Sequence, residues 1–188
     1  MGLITTADIA AFRPSAGNEY RGGRFVTKAQ ATLSRIVEAE EKVVQHDIFL
    51  SHRKADADEL VGLYYLLRAM KYTVYVDWKD DPELDRSSVT AKTAARLRAR
   101  MQNSRCLFYA TTSTAGESKW MPWELGYKDG DNHKVAICPV VGTNQAAFEG
   151  REYLAIYPYV DRTGDKLYIH RAALTYITFD NWLNGAEI

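Results

Sequence analysis

Apolar positions along the 188-residue chain follow two different periods. Short, near-continuous apolar runs of strand type occur in HDIFLS (46–51), TVYVDW (73–78), RCLFYATT (105–112) and KVAICPVV (134–141). Between them lie segments with helical spacing. DADELVGLYYLLRAMK carries Leu60, Leu63, Tyr64, Leu67 and Met70 on one stripe. SVTAKTAARLRARMQNS carries Thr90, Ala94, Leu97 and Met101, and SKWMPWELGYKDG reads as a short helix that stops at Gly130. Strands that alternate with such helices predict βαβ units and a parallel sheet, and strands apolar on both sides are what a sheet covered on both faces requires.

The pattern changes at both ends. Residues 1–24, with Pro14, Gly17, Gly22 and Gly23, show no period and read as a loosely ordered lead-in. Thr27 is positioned to cap a helix running to about Gln45, with a partial stripe of Val26, Ala29, Leu33, Ile36, Val37 and Val44. After Gly142 the alternation breaks: LAIYPYVDR and KLYIHR flank Thr163-Gly164-Asp165 and predict a β-hairpin, and FDNWLNG predicts a closing helix with Trp182 as a core anchor. The organisation expected is a lead-in and helix over 1–45 and a main domain over 46–188, with its core motifs in 46–141 and an extension in 142–188.

Composition narrows the function. Lys+Arg and Asp+Glu are both 24, so no net basic charge exists to hold a phosphate backbone, and nucleic acid is not an expected partner. An apolar share of 46% is too high for disorder, and no apolar run is long enough to span a bilayer. MGLITTADIAAFRPSAG lacks the basic start and apolar run of a secretory signal; MGLITT fits the loose N-myristoylation pattern, which is too short to carry weight. Cys106 and Cys138 sit in apolar runs without CxxC spacing and read as buried reduced thiols of a cytoplasmic protein. The histidines His46, His52, His133 and His170 are scattered, so no metal site is expected.

In open parallel sheets ligands lie beyond the carboxyl ends of the strands, which directs attention to three segments. In WMPWELG, Trp120 and Glu124 share a helix face, Trp123 is three residues from Trp120, and Pro122 puts the helix start nearby, so Glu124 falls in the first turn. A carboxylate there is either shielded by indoles and close to positive backbone dipoles, or a solvated glutamate beside two core tryptophans. In SHRKAD, the trio Ser51, His52 and Arg53 suits a phosphate or ribose hydroxyl; the alternatives are a helix cap and an Arg53 pair with Asp56 or Asp58. In DWKDDPELDRSS, Asp77 and Trp78 close a strand, and the acids Asp80, Asp81, Glu83 and Asp85 precede the bases Arg86, Lys92, Arg96, Arg98, Arg100 and Arg105. That charge dipole is a solvated face or a patch for head-to-tail self-association. GxGxxG, GxxxxGK[ST], GxSxG and HExxH are all absent. A phospho-acceptor receiver is disfavoured too, because Ser-His-Arg and Thr-Thr stand where it needs acids.

Taken in order, these segments resemble a TIR (Toll/interleukin-1 receptor) domain of bacterial type. HDIFLSHRKAD matches its first strand and loop, TVYVDW its second strand, Lys79–Ser88 the place of its BB loop, and SRCLFYATTSTAGESKWMPWELG its third strand and glutamate-bearing helix. The loop is acidic and lacks the family's Pro-Gly pair. The resemblance implies a flavodoxin-like, doubly wound α/β fold with a parallel sheet of about four or five strands. It also implies cleavage of NAD⁺ at the nicotinamide–ribose bond, with Glu124 catalytic and Ser51, His52, Arg53, Asp77, Trp78, Trp120 and Trp123 around the substrate. NAD⁺ is then a substrate and no cofactor is expected. Self-association through TIR–TIR contacts, a downstream effector that reads the product, and a role in anti-phage defence are further implications. The other reading of the same resemblance is a non-catalytic interaction module, in which Glu124 is incidental.

Overall fold

The computed structural model describes residues 2–40, 43–78, 90–112, 118, 120–142, 148 and 152–188. In chain order its elements are β1 (Ile4–Thr5), α1 (Thr6–Ala10), β2 (Asn18–Arg21), β3 (Arg24–Thr27), α2 (Lys28–Glu40), β4 (His46–Ser51), α3 (Ala57–Ala69), β5 (Val74–Val76), α4 (Ala91–Gln102), β6 (Ser104–Thr112), α5 (Met121–Asn132), β7 (Val135–Val141), β8 (Tyr159–Thr163), β9 (Lys166–Ala172), β10 (Thr175–Thr178) and α6 (Phe179–Leu183).

The four apolar runs become β4, β5, β6 and β7, all paired in parallel. With β8 added in parallel, the spatial order is β8-β7-β6-β4-β5. Chain order therefore reverses between β4 and β6, the switch-point arrangement of flavodoxin-like sheets. One apolar cluster fills the face covered by α2 and α3, with Leu33, Ile48, Leu67 and Phe108 among its members. A second fills the other face, where Leu97 and Met101 of α4 and Met121 and Leu125 of α5 meet Phe49 and Leu107. Helices on both faces confirm the doubly wound expectation.

The sheet has eight strands, which corrects the expected four or five. The predicted hairpin, β8 and β9, joins the same sheet rather than standing apart, and β10 follows it antiparallel. The eighth strand is β1, where Ile4 and Thr5 pair with Val140 and Val141. A buried strand edge cannot leave its N–H and C=O groups bare, and β1 and the hairpin satisfy that of β7. The first residues are thus not a loose lead-in. Leu3, Ile4 and Ile9 are buried, and Thr5 and Asp8 form a reciprocal capping box at α1.

Local signals mostly hold. Thr27 Oγ1 accepts the Gln30 N–H at 3.2 Å while Gln30 Oε1 accepts the Thr27 N–H at 3.0 Å. The helix that follows ends at Glu40 rather than Gln45, and Val44, placed on its stripe from sequence, is 82% exposed. Helix α5 runs past Gly130 to Asn132, because His133 takes the left-handed stop at φ 57° that a glycine usually supplies. Trp182 is buried against Phe179, as expected. Both cysteines are free and buried, and burial pushes the Cys138 thiol up to about 12. Among the described residues no helix is long and apolar enough to cross a membrane.

Candidate functional site

Ser51 ends β4 and Thr112 ends β6, so the switch point lies between them. Cross-strand register sets Tyr109 of β6 directly beside Ser51. Helix α5 lies over this pair. Ser118 Oγ accepts the N–H groups of Trp120 and Met121 at 3.3 and 3.4 Å, and proline occupies the first turn where its missing N–H costs nothing. These local choices start the helix so that Glu124 lies in its first turn.

From there Glu124 reaches back to the sheet. Ser51 Oγ donates to Glu124 Oε2 at 2.6 Å, with Ser51 at 0% exposure and Glu124 at 2%. A short hydroxyl-to-carboxylate bond of this kind is charge-assisted. The carboxylate bears electrostatically on the buried Tyr109 phenol and lies near the positive end of the helix dipole. One turn along α5, the buried ammonium of Lys128 donates to the carbonyls of Met101 and Ser104 at 2.8 and 2.7 Å and pairs with Asp131 at 2.9 Å. This fixes α5 against α4 and β6, and through them the position of Glu124.

A second group forms just past the end of β4, on the α3 side of the sheet. His52 Nδ1 donates to the Leu50 carbonyl at 3.0 Å, and its ring stacks on Trp78 with centroids 6.1 Å apart. Trp78 is buried, and its Nε1 has no hydrogen-bond partner among the described residues. Thr112 Oγ1 donates to Asp56 Oδ2 at 3.1 Å, and Arg53 lies 4.0 Å from Asp56 Oδ1. Of the alternatives open for SHRKAD, the Arg53–Asp56 pairing is therefore present, whereas Ser51 turns to Glu124.

The remaining sequence-predicted residues lie further out. Trp120 meets Trp123 edge to face at 5.5 Å, and Trp123 stacks on Tyr127 along the helix surface. Asp77 is half-buried and bears electrostatically on Tyr75, whose phenol burial, chiefly, pushes up. The acidic loop Lys79–Ser88, with Asp80, Asp81, Glu83, Asp85 and Arg86, lies outside the described residues, as do residues 113–117 and 143–147 of the other two edge loops. Two cavities of about 310 and 580 Å³ open elsewhere, at the amino ends of the strands. Asp47 and Arg105 line the first and Lys134 and Arg171 the second, and among the described residues none of those placed around the substrate from sequence lines either.

No family model matches the chain. Among curated proteins it is 42% identical over 162 residues to "Probable 3' cyclic ADP-D-ribose synthase ThsB'" of Bacillus cereus (strain MSX-D12), across 82% of this chain and 84% of that one. The chain belongs to the ThsB′ family. A second relative, "Putative cyclic ADP-D-ribose synthase TIR2" of Cytobacillus dafuensis, is 28% identical over 83 residues, 44% of this chain and 22% of that one.

Three further residues around this candidate site were not singled out from sequence. Asp56 was considered only as a partner for Arg53. Tyr109 is the last large side chain of an apolar strand, and only the β4–β6 register sets it beside Ser51. Tyr153, which lies against Tyr109, arrives from a segment that the alternation did not predict. For Tyr109 the available signal was an aromatic near the carboxyl end of a central strand; for Tyr153 there was none.

Proposed function

We propose that this ThsB′-family chain is a TIR-type enzyme that breaks the nicotinamide–ribose bond of NAD⁺. In this reading it closes the remaining ADP-ribose into a cyclic product, which serves as a cytoplasmic antiviral signal read by a separate effector. The observation that carries the reading is the Ser51–Glu124 hydrogen bond at 2.6 Å, a fixed, buried carboxylate at the switch point of the sheet. The names of both relatives describe cyclic ADP-D-ribose synthesis, in keeping with it.

The chemistry suits one carboxylate. Nicotinamide leaves as a neutral molecule from a cationic ring, so no general acid is required. The ribose passes through an oxocarbenium-like state, as in glycoside hydrolysis. Glu124, shielded from water, stabilises that growing positive charge more than it stabilises the ground state. Ser51 orients the carboxylate, so little reorganisation is needed as the bond breaks. Trp120 supplies a flat apolar wall with Trp123 beside it, and Trp78 a second indole backed by His52. Arg53, with His52 and Asp77 at the same edge, holds the ribose hydroxyls or phosphates.

The test is product analysis. The purified protein is incubated with NAD⁺ over a range of protein concentrations, so that any requirement for self-association is met, and the products are separated and weighed by mass spectrometry. Nicotinamide and an equimolar ADP-ribose-derived product are expected. Intact NAD⁺ at every concentration favours the interaction module instead.

A further inference from the structure

The chain between β7 and β8 returns to the candidate site. It enters a 3₁₀ turn, Glu152–Ile156, through Glu152 at φ 53°, a left-handed conformation that a side chain adopts at a cost. The turn is held on the α5 side of the sheet. Tyr157 Oη donates to Asp129 Oδ2 on α5 at 3.1 Å, and Leu154 and Tyr157 pack against the cluster that contains Tyr109, Trp120 and Met121. Fixed in this way, Tyr153 sets its phenol against that of Tyr109 while its ring stays 43% exposed. Tyr109 is the cross-strand neighbour of Ser51, which holds Glu124. A line of four side chains thus runs from solvent to the buried carboxylate: Tyr153, Tyr109, Ser51, Glu124. Packing of the turn is accounted for by Leu154 and Tyr157. It leaves unexplained why a half-exposed aromatic should be held at the outer end of this line.

We propose that Tyr153 contacts the substrate and selects the acceptor, covering the sugar so that a hydroxyl of ADP-ribose rather than water attacks the anomeric carbon. This inference rests on the NAD⁺-cleavage reading above. In both outcomes the bond from the anomeric carbon to nitrogen breaks, and its electron pair leaves on neutral nicotinamide. In cyclisation a hydroxyl oxygen of the second ribose forms the new bond to that carbon and its proton passes to Glu124 or to solvent. In hydrolysis the oxygen and the proton come from water, and linear ADP-ribose results. Neither outcome needs an oxidant or a reductant. The internal hydroxyl wins when it is held in place and water is kept from the cation. An aromatic ring at the outer end of the line does both, stacking on a flat part of the substrate and shielding the sugar.

The experiment compares the parent with Tyr153→Ala and Tyr153→Phe, each checked for unchanged thermal unfolding. The expected result is a linear-to-cyclic product ratio raised about tenfold in Tyr153→Ala, together with a KM for NAD⁺ raised about tenfold, and a parental ratio in Tyr153→Phe. An unchanged ratio in folded Tyr153→Ala overturns the inference. So does loss of nicotinamide release at saturating NAD⁺ in that variant, and so does a parent that makes only linear product. A second arm titrates NAD⁺ by tryptophan fluorescence in a Glu124→Gln background. There Tyr153→Ala is expected to weaken binding about tenfold, the scale of one stacking contact, and equal affinity overturns the contact. If the parent releases no nicotinamide, the cleavage reading fails, and this second arm alone decides whether Tyr153 touches the ligand.

Discussion

Ser51 and Glu124 are 73 residues apart in sequence and 2.6 Å apart in space. The bond joins the carboxyl end of β4 to the first turn of α5, so it spans the switch point and orients the carboxylate on which the proposed mechanism depends. In the proposed mechanism Ser51 only holds the carboxylate in the ground state, and its effect is felt when charge develops on the sugar. Ser51→Ala is therefore expected to lower kcat for nicotinamide release roughly 10- to 100-fold with a smaller change in KM, the signature of an interaction that matters mainly in the transition state. Steady-state kinetics across NAD⁺ concentrations checks it. A raised KM at unchanged kcat would move Ser51 to substrate binding.

Lys128 is a charged residue at 1% exposure, and its three hydrogen bonds explain why the charge is tolerated. Removing the ammonium leaves two carbonyls and the Asp131 carboxylate short of a donor. Lys128→Met is expected to cost about 3 kcal/mol, or roughly 10 °C in melting temperature for a chain of this size. Calorimetry or thermal circular dichroism measures it, and a shift under about 2 °C would show that α5 is held by its apolar face alone.

Gly62 of α3 and Gly126 of α5 give opposite expectations for the same substitution. A Cβ on Gly62 would lie 2.8 Å from the Ile9 carbonyl oxygen and 2.9 Å from Ile9 Cβ. The oxygen is backbone and cannot swing aside. The strain of about 1–3 kcal/mol therefore outweighs the gain of at most about 1 kcal/mol from alanine's helix preference, and Gly62→Ala destabilises. A Cβ on Gly126 meets nothing among the described residues within 4 Å, so Gly126→Ala stabilises by up to about 1 kcal/mol. Denaturant unfolding of the two variants reads both signs.

Acid should loosen the junction of α2, β4 and α3. Glu40, buried, accepts from Tyr64 Oη at 2.7 Å and pairs with His46 Nε2 at 3.0 Å. Burial alone would raise its carboxyl, but the hydrogen bonds from His46 and Tyr64, with the charges of His46 and Arg68, hold it below its ordinary value of 4.5. A carboxyl depressed in the folded state contributes stability that is fully present above its unfolded value and is lost as pH falls through the folded one. Stability from this group should therefore be level above about pH 5 and fall below pH 4.5. Glu40→Gln should be less stable at neutral pH, with a shallower decline in acid. Urea unfolding at several pH values tests this, and parallel acid limbs for parent and variant would contradict it.

Much of this architecture could be read from the chain. The four parallel strands β4 to β7 announced themselves as apolar runs, α3 through its spacing, and the starts of α2 and α5 through Thr27 and Pro122. The switch-point rule then directed attention to both Ser51 and Glu124. Other features could not be read, because they are properties of pairing. β1 has only two residues, too few for any period, and is a strand only because β7 presents an open edge. The hairpin's entry into the main sheet likewise depends on that edge. Tyr109 and Tyr153 take their places from cross-strand register and a returning segment. Lys128 looks like a surface charge until the carbonyls that bind it are folded into place.

The most direct test of the account is nicotinamide release from NAD⁺ by the parent and by Glu124→Gln. The amide keeps the size of the side chain and can still accept from Ser51, but it carries no negative charge. The account predicts release by the parent, a fall of at least about 100-fold in Glu124→Gln, and the same melting temperature within about 2 °C. Equal release by a folded Glu124→Gln protein would contradict it.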